Sequence, residues 1–378
     1  MIIDTDAHVE EHPAMFARLA EDPAWAALAP RVVEGPDRAY WWIGARLVPN
    51  PHGWGAMTAG TPHRPAATED PTRRSHVGSQ LLTDPAARLQ EMDAEGIDLS
   101  VVFPTLFLLY PLAPDPGLAT ALCQAYNDWM AETLAPFAQR LKWVATLPHH
   151  DPEAAVAALE RAVAQGAVGV QILGTAGETA WDHPMWEPLW AAAERAAMPI
   201  CVHVGWSQPS LTQLASNIYT SIVGPFVLPL MTALTSFIGG RILDRHPRLK
   251  VGFFEGGVEW APFWLDRLAR FYRQPPGGMD RRLLPDRHPL EYVRDGNVVF
   301  SCELDEARIA MAAEAIGNDA IVYASDLPHS HRVFDAIGQF RARTDLDEET
   351  KAKILSHNGL RFYGARLGAP AAEGGSAG

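Results

Sequence analysis

Three cysteines in 378 residues are too few to staple a fold. Cys123, Cys201 and Cys302 are odd in number, widely spaced, and two of them stand in apolar strands, so buried reduced thiols are expected rather than a disulfide framework. A catalytic thiol is the lesser reading. Positive charge is also scarce: Lys and Arg number 31 against 45 Asp and Glu, giving a formal net charge of -14 with no basic block. That argues against a nucleic-acid groove or an anionic membrane surface as partner, and the acidity serves solubility. No apolar run reaches spanning length, since Gly and Pro break the longest candidates, and the N-terminus enters a strand without a basic leader. A cytoplasmic protein with no membrane partner is therefore expected. No Gly-rich phosphate loop follows the first strand, which disfavours an open dinucleotide-binding sheet.

What is present begins with Ile2-Ile3-Asp4-Thr5-Asp6-Ala7-His8. Alternate side chains of a strand share a face, so Asp4, Asp6 and His8 project together, and Asp6 with His8 at the strand's C-terminal end forms a metal-chelating pair. Residues from Val9 to about Leu82 read as an irregular, aromatic-rich cap containing Tyr40-Trp41-Trp42, a Pro49-Asn50-Pro51 turn and Trp54. Loops of this length in compact domains usually serve function, and the aromatics are expected to cover something apolar.

From Asp84-Pro85 onward strand and helix alternate. Strands are expected at 98–103, 141–147, 168–173, 200–204, 251–255, 298–303 and 321–325, with helices at 86–95, 118–134, 151–165, 184–197, 226–244, 260–273, 304–316, 332–343 and 347–356. With the opening strand that makes eight, which predicts an α/β fold, a (β/α)8 TIM barrel carrying an inserted cap after strand 1. Residues 1–366 read as one metal-dependent barrel domain with its cap over about 9–82, and 367–378 as a disordered tail.

Active sites of such barrels lie at the C-terminal ends of the strands. Those ends carry Asp6 and His8, His149 and His150, Gln171, His203, Glu255, Glu303, and Asp326 with His329. Carboxylate and imidazole converging at one mouth suit a hard or borderline divalent metal. His149 and His150, just before a helix-capping Asp151, read as loop residues.

Several segments together resemble the amidohydrolase superfamily, in the branch of the aromatic-acid and aminocarboxymuconate-semialdehyde decarboxylases. They are Asp4 to Glu10, Arg88 to Asp98, Val202-His203, Phe254-Glu-Gly-Gly257, Ser301-Cys-Glu303, Ala324 to His329 and Asn358 to Tyr363. The resemblance implies a metal held by Asp6, His8, His203 and Asp326. Two departures stand out. Where two-zinc members carry a carboxylated lysine this chain has Gln171, and its only lysines are Lys142, Lys250, Lys351 and Lys353. Where the decarboxylases resemble one another in a proton-handling His on the sixth strand, this chain has Glu255.

That carboxylate pattern is similar to a sub-branch holding a non-haem diiron monooxygenase. The first expectation is accordingly an oxidoreductase: two Fe ions held by Asp6, His8, His203, Glu255, Glu303, Asp326 and His329, with Glu255 and Asp326 catalytic. It would use O2 and an electron donor to hydroxylate a bulky apolar carboxylate or its CoA thioester. The alternative is a mononuclear decarboxylase or hydrolase with one Zn or Mn and Glu255 as general base. A metal-stabilised binding protein without turnover is the third reading. A small-molecule substrate is the expected partner, and a homodimer is left open.

Overall fold

The computed structural model describes residues 1–35, 38–48, 62, 69–70, 75–329, 333 and 335–368. Eight parallel strands form one sheet in chain order: β1 (Ile3–Val9), β2 (Leu99–Pro104), β3 (Leu141–Thr146), β4 (Gly169–Leu173), β5 (Ile200–His203), β6 (Val251–Phe254), β7 (Val298–Cys302) and β8 (Ile321–Tyr323). The ring closes between β8 and β1 through polar groups. Thr5 Oγ1 donates to the Tyr323 carbonyl at 2.7 Å, Asp326 N to Asp6 O at 3.0 Å, and His8 N to Leu327 O at 2.7 Å. The expected TIM barrel is therefore present, and its seam runs through the metal-ligand candidates.

The helices start where the sequence supplies an Asp-Pro pair. Asp84, Asp115 and Asp151 each accept a backbone N–H from the first turn of α1 (Pro85–Glu95), α2 (Pro116–Leu134) and α3 (Pro152–Gln165). Each cap satisfies an otherwise orphaned donor, and the proline's missing N–H costs nothing at that position. Gly96 and Gly166 end α1 and α3 in the left-handed region, at φ +78 and +88.

Inside the ring Ile3, Val101, Phe103, Val144, Cys201, Phe254, Val299 and Val322 make a closed apolar column. Phe362 and Tyr363 of the helix Asn358–Tyr363 plug its N-terminal end, with the Tyr363 hydroxyl donating to the Thr5 carbonyl at 3.0 Å. Fully burying a side chain of this size stabilises by about 1.5–3 kcal/mol. Gly359 lets that helix approach β1, since a Cβ there would lie 2.8 Å from Thr5 Cγ2. The three cysteines are buried and free, as expected.

Several expectations need correction. Residues 31–34, 39–43 and 46–48 form a three-stranded antiparallel sheet, so this part of the cap is regular. Trp41 is buried and meets Phe16 edge-on at 6.1 Å, so it packs the insertion, and the Arg31 guanidinium lies over Trp42. Trp54 and the Pro49-Asn50-Pro51 turn lie outside the described residues. The helix expected at 304–316 begins only at Ile309, and that expected at 332–343 runs Ala336–Ala342. Residues 218–239 do form a helical stretch long and apolar enough to cross a membrane by length and composition, with half of its apolar window buried in the fold. Within it the helix Ile218–Val223 gives way to a turn at 224–227, and Pro229 stands in the first turn of the helix Leu228–Leu234 that follows.

A candidate metal centre

β1 carries three acidic or imidazole groups inward, and the structure gives them different work. Asp4 lies deepest. Its carboxylate accepts from Ser100 Oγ at 2.6 Å, Ser325 Oγ at 2.8 Å and Ser325 N at 2.9 Å, tying β1 to β2 and to the exit of β8. Burial outweighs these bonds and raises its carboxyl to about 6. Asp4 is thus a structural brace, while Asp6 and His8 face the mouth.

Each histidine is locked in the tautomer a metal needs. His8 Nδ1 donates to the Pro104 carbonyl at 3.2 Å, and His203 Nδ1 to the Val204 carbonyl at 3.0 Å, which leaves the Nε2 lone pair of each free. Those two Nε2 atoms have no hydrogen-bond partner among the described residues, nor do Asp6 Oδ1, Asp6 Oδ2 and Glu255 Oε2, although all are buried. Buried polar atoms left in this state are costly, by about 1–3 kcal/mol each. Here they converge. His8 Nε2 is 3.5 Å from Asp6 Oδ1, 3.5 Å from Asp326 Oδ1 and 3.6 Å from Glu255 Oε2, and His203 Nε2 is 3.4 Å from both Asp6 Oδ2 and Glu255 Oε2. Asp6, His8 and His203 offer ligand atoms within 4.8 Å of one another, and so do His8, Glu255, Asp326 and His329.

The electrostatics ask for a cation. Among the described residues neither Asp6 nor Glu255 pairs with Lys or Arg. Burial, followed by the Asp326 charge, pushes Glu255 up to about 8, and burial likewise raises Asp6. Burial opposes protonation of His203, yet Asp6 and Glu255 outweigh it and lift this imidazole to about 9, while burial holds His8 well below its usual range. A divalent ion would resolve the conflict by supplying the charge that these groups now seek from protons.

Backbone strain marks the same spot. Glu255 and Asp326 are non-glycine residues at φ +60 and +54, each costing about 1–3 kcal/mol where nothing compensates. Both follow the last strand residue directly or within three positions, so the sharp turn aims their carboxylates into the ring. Ser301 Oγ fixes the first by accepting from Glu255 N at 2.9 Å.

Glu303 and His329 sit differently from the other expected ligands. Glu303 does not join either group of ligand atoms; β7 ends at Cys302, and Glu303 N donates to the Glu306 carboxylate at 2.8 Å as the chain turns away. Glu303 instead lines a small cleft with Glu95, Tyr323 and Ser325. His329 reaches the site, but its Nδ1 lies 2.6 Å from Asp326 Oδ1 and its Nε2 3.1 Å from Thr105 Oγ1, with its ring stacked on His8 at 4.3 Å. Both of its nitrogens are thus engaged with protein groups, which suits a residue that orients Asp326. Gln171 is buried in β4, with Oε1 unpartnered among the described residues.

Sequence reasoning passed over Thr105, whose hydroxyl also lies 3.4 Å from His8 Nδ1. Its only signal was a polar residue directly after β2. It also missed Glu11, which accepts from Thr105 N at 3.1 Å and Leu106 N at 2.7 Å and so holds the β2 exit against β1. Arg88, in a segment carrying the family resemblance, donates to the His8 carbonyl at 2.9 Å and the Ser79 carbonyl at 2.8 Å.

A family model described as amidohydrolase matches residues 3–365. This chain belongs to the amidohydrolase family. Gamma-resorcylate decarboxylase of a Rhizobium species is 25% identical to it over 300 residues, covering 75% of this chain and 88% of that enzyme. The 2-amino-3-carboxymuconate-6-semialdehyde decarboxylase of Dictyostelium discoideum is 25% identical over 285 residues, 74% of this chain and 77% of its own. An amidohydrolase crystal structure from Mycobacterium avium subsp. paratuberculosis shares the fold at a TM-score of 0.76 and 22% identity, covering 96% of this chain and 99% of that one. The 5-carboxyvanillate decarboxylase of Novosphingobium aromaticivorans shares it at 0.70 and 19%, covering 96% of each chain; its structure holds manganese and 4-hydroxy-3-methoxy-5-nitrobenzoic acid.

These likenesses overturn the first functional expectation. The two curated relatives are decarboxylases, and the metal in the 5-carboxyvanillate decarboxylase structure is manganese, so the reading as an iron-dependent monooxygenase or oxidoreductase is withdrawn, together with its two irons, O2 and electron donor. Glu303 stands outside both groups of candidate ligand atoms.

Proposed function

We propose that this amidohydrolase-family enzyme is a single-metal carboxy-lyase that removes CO2 from a phenolic aromatic acid. The observation that carries the reading is the convergence of Asp6, His8 Nε2, His203 Nε2 and Asp326 at the barrel mouth, with the ligand atoms of Asp6, His8 and His203 buried and without a hydrogen-bond partner among the described residues. Carboxylate with imidazole suits Mn²⁺ or Zn²⁺. Asp6, His8, His203 and Asp326 would hold that ion, which when bound supplies positive charge against the substrate's anionic oxygens.

The chain's own residues do the rest. Glu255, left over once Asp6, His8, His203 and Asp326 hold the ion, is the group placed to carry a proton at Oε2, 3.6 and 3.4 Å from the two imidazoles. It delivers that proton to the ring carbon bearing the carboxylate; the bond to the carboxylate then breaks, its electron pair returns to the ring, and CO2 leaves. Glu255 recovers a proton from solvent. It thus stands where the decarboxylases of this family have a histidine. Thr105 and His329 steady Asp326, and Pro104 fixes the His8 ring. The 3.4 and 3.6 Å separations from the two imidazoles also suit Glu255 as a further metal donor, and the substitution Glu255→Gln separates the two roles.

The test is reconstitution. Protein stripped with a chelator and resupplied with Mn²⁺ or Zn²⁺ should release CO2 from hydroxybenzoates such as 2,6-dihydroxybenzoate or 5-carboxyvanillate, while the stripped protein should not. Release that is indifferent to the metal, or none from any phenolic acid, would overturn the proposal.

A further inference from the structure

Between His203, which ends β5, and Arg241 the sequence holds no Asp, Glu, Lys, Arg or His, in a chain that is 20% charged. Part of this stretch is ordinary core: Leu230, Leu234, Phe237 and Ile238 are fully buried. Another part does the opposite. Leu214, Tyr219, Ile222, Val223 and Leu228 are 79, 75, 46, 64 and 44% exposed, five of the twelve large apolar side chains that the described residues leave in water. In the helix Ile218–Val223 the usual arrangement is inverted. Its buried residue is Ser221, whose hydroxyl accepts from Trp206 Nε1 at 2.6 Å, while Tyr219, Ile222 and Val223, spaced i, i+3 and i+4, share the outward face. Leaving such side chains outside forgoes much of the roughly 1.5–3 kcal/mol that full burial of each supplies. The face is also held in place. Asn217 and Thr220 close a capping box at the helix start, Phe226 N donates to the Ser221 carbonyl at 3.0 Å, and Gly205 N donates to the Phe226 carbonyl at 3.1 Å, tying the segment to the β5 exit. A fixed apolar face in water marks a contact surface.

Charge decides what covers it. The chain carries a formal net charge of -14, so two copies repel over most of their surfaces. In a twofold contact a patch meets itself, and any charge near the axis meets its own copy. The stretch 204–240 brings none. A membrane surface is the weaker occupant, since interfacial helices carry Lys and Arg beside their apolar face and this stretch has neither. We propose that Tyr219, Ile222 and Val223, with Leu214 and Leu228 flanking them in the chain, form the contact through which two copies of this protein pair as a twofold dimer. The pairing does not depend on the reaction catalysed.

The test is sedimentation equilibrium on the full-length protein. The parent should be a dimer at about 10 μM, and raising NaCl from about 0.05 M to about 1 M should not weaken it, because no ion pair is at stake. Each substitution counts twice in a twofold contact, so Tyr219→Ser should raise the dissociation constant at least about tenfold. Val223→Asp, which also brings two carboxylates toward the axis, should leave a monomer at the same concentration. Both positions are more than half exposed, so circular dichroism should show the parent fold in each variant. Leu283→Ser, at a position 65% exposed outside the stretch, should leave the dimer unchanged. A monomeric parent would overturn the proposal, as would a dimer that salt dissolves, that Tyr219→Ser and Val223→Asp leave intact, or that Leu283→Ser weakens equally. Binding of a monomeric parent to phosphatidylcholine vesicles, lost in Val223→Asp, would assign the face to lipid and overturn it too.

Discussion

Glu255→Gln probes the chemistry most finely, because it keeps the shape of the side chain while removing both its charge and its proton. The backbone there is placed by Ser301 Oγ and by the turn at φ +60, neither of which depends on the carboxylate. The fold should therefore tolerate the change. A carboxyl raised to about 8 must take up a proton on folding at pH 7 in the metal-free protein, so the amide, which resembles that protonated state, should be the more stable form at this pH. The sign with pH is fixed: a raised folded-state value means that the parent loses stability as pH climbs through about 8, and the variant should not share that loss. For turnover, losing a proton donor at Oε2 should lower kcat by roughly 10²–10⁴-fold, or about 2.7–5.5 kcal/mol in the barrier. Metal content measured by mass spectrometry should be unchanged. If the variant instead loses its metal in step with its activity, Glu255 is a ligand and the proton must come from another group. Unchanged kcat with unchanged metal would refute both roles.

Three further substitutions test the geometry. His203→Ala should fold but weaken metal binding by more than the roughly 10–100-fold typical of losing an outer partner, read by titration of the stripped protein; full retention would remove His203 from the ligand set. Thr105→Val should fall within that 10–100-fold range in activity, since it frees His329 Nε2 and loosens Asp326 without removing a ligand; activity equal to the parent would show that the hydroxyl positions nothing. Glu11 is buried and raised to about 8 despite two backbone N–H bonds, so its contribution to stability is present below about 4.5 and is lost as pH rises through 8. Glu11→Gln should therefore gain stability relative to the parent between pH 5 and 8 in denaturant unfolding, and a difference that stays flat across that range would contradict this assignment.

Much of this architecture was legible because it follows from local chemistry. The Asp-Pro pairs announce helix starts, Gly96 and Gly166 announce stops, and the alternation of apolar strands with helices implies the barrel. Asp6, His8, His203, Glu255 and Asp326 do come together at one mouth, since each lies on a barrel strand or within three residues past its end. Glu303 misled because it sits one residue past Cys302, where the side-chain alternation of the strand no longer governs direction. Thr105 and Glu11 were illegible for a different reason: their work depends on β1 and β2 lying side by side, and nothing local reveals a partner 94 residues away. His149 read as a loop residue because the burial of its Nε2, without a hydrogen-bond partner among the described residues, is a property of the packing and not of its neighbours in the chain. The oxidation chemistry rested on the likeness of the carboxylate pattern to a diiron sub-branch, and the decarboxylase relatives overturn it.

The most direct test of the central claim is one turnover experiment in deuterated buffer, run without oxygen on metal-loaded protein with a phenolic acid as substrate. Decarboxylation predicts one CO2 for each phenol formed, and a single deuterium at the ring carbon that lost the carboxylate. A product that retains its carboxyl group, or turnover that begins only when oxygen is admitted, would contradict the account.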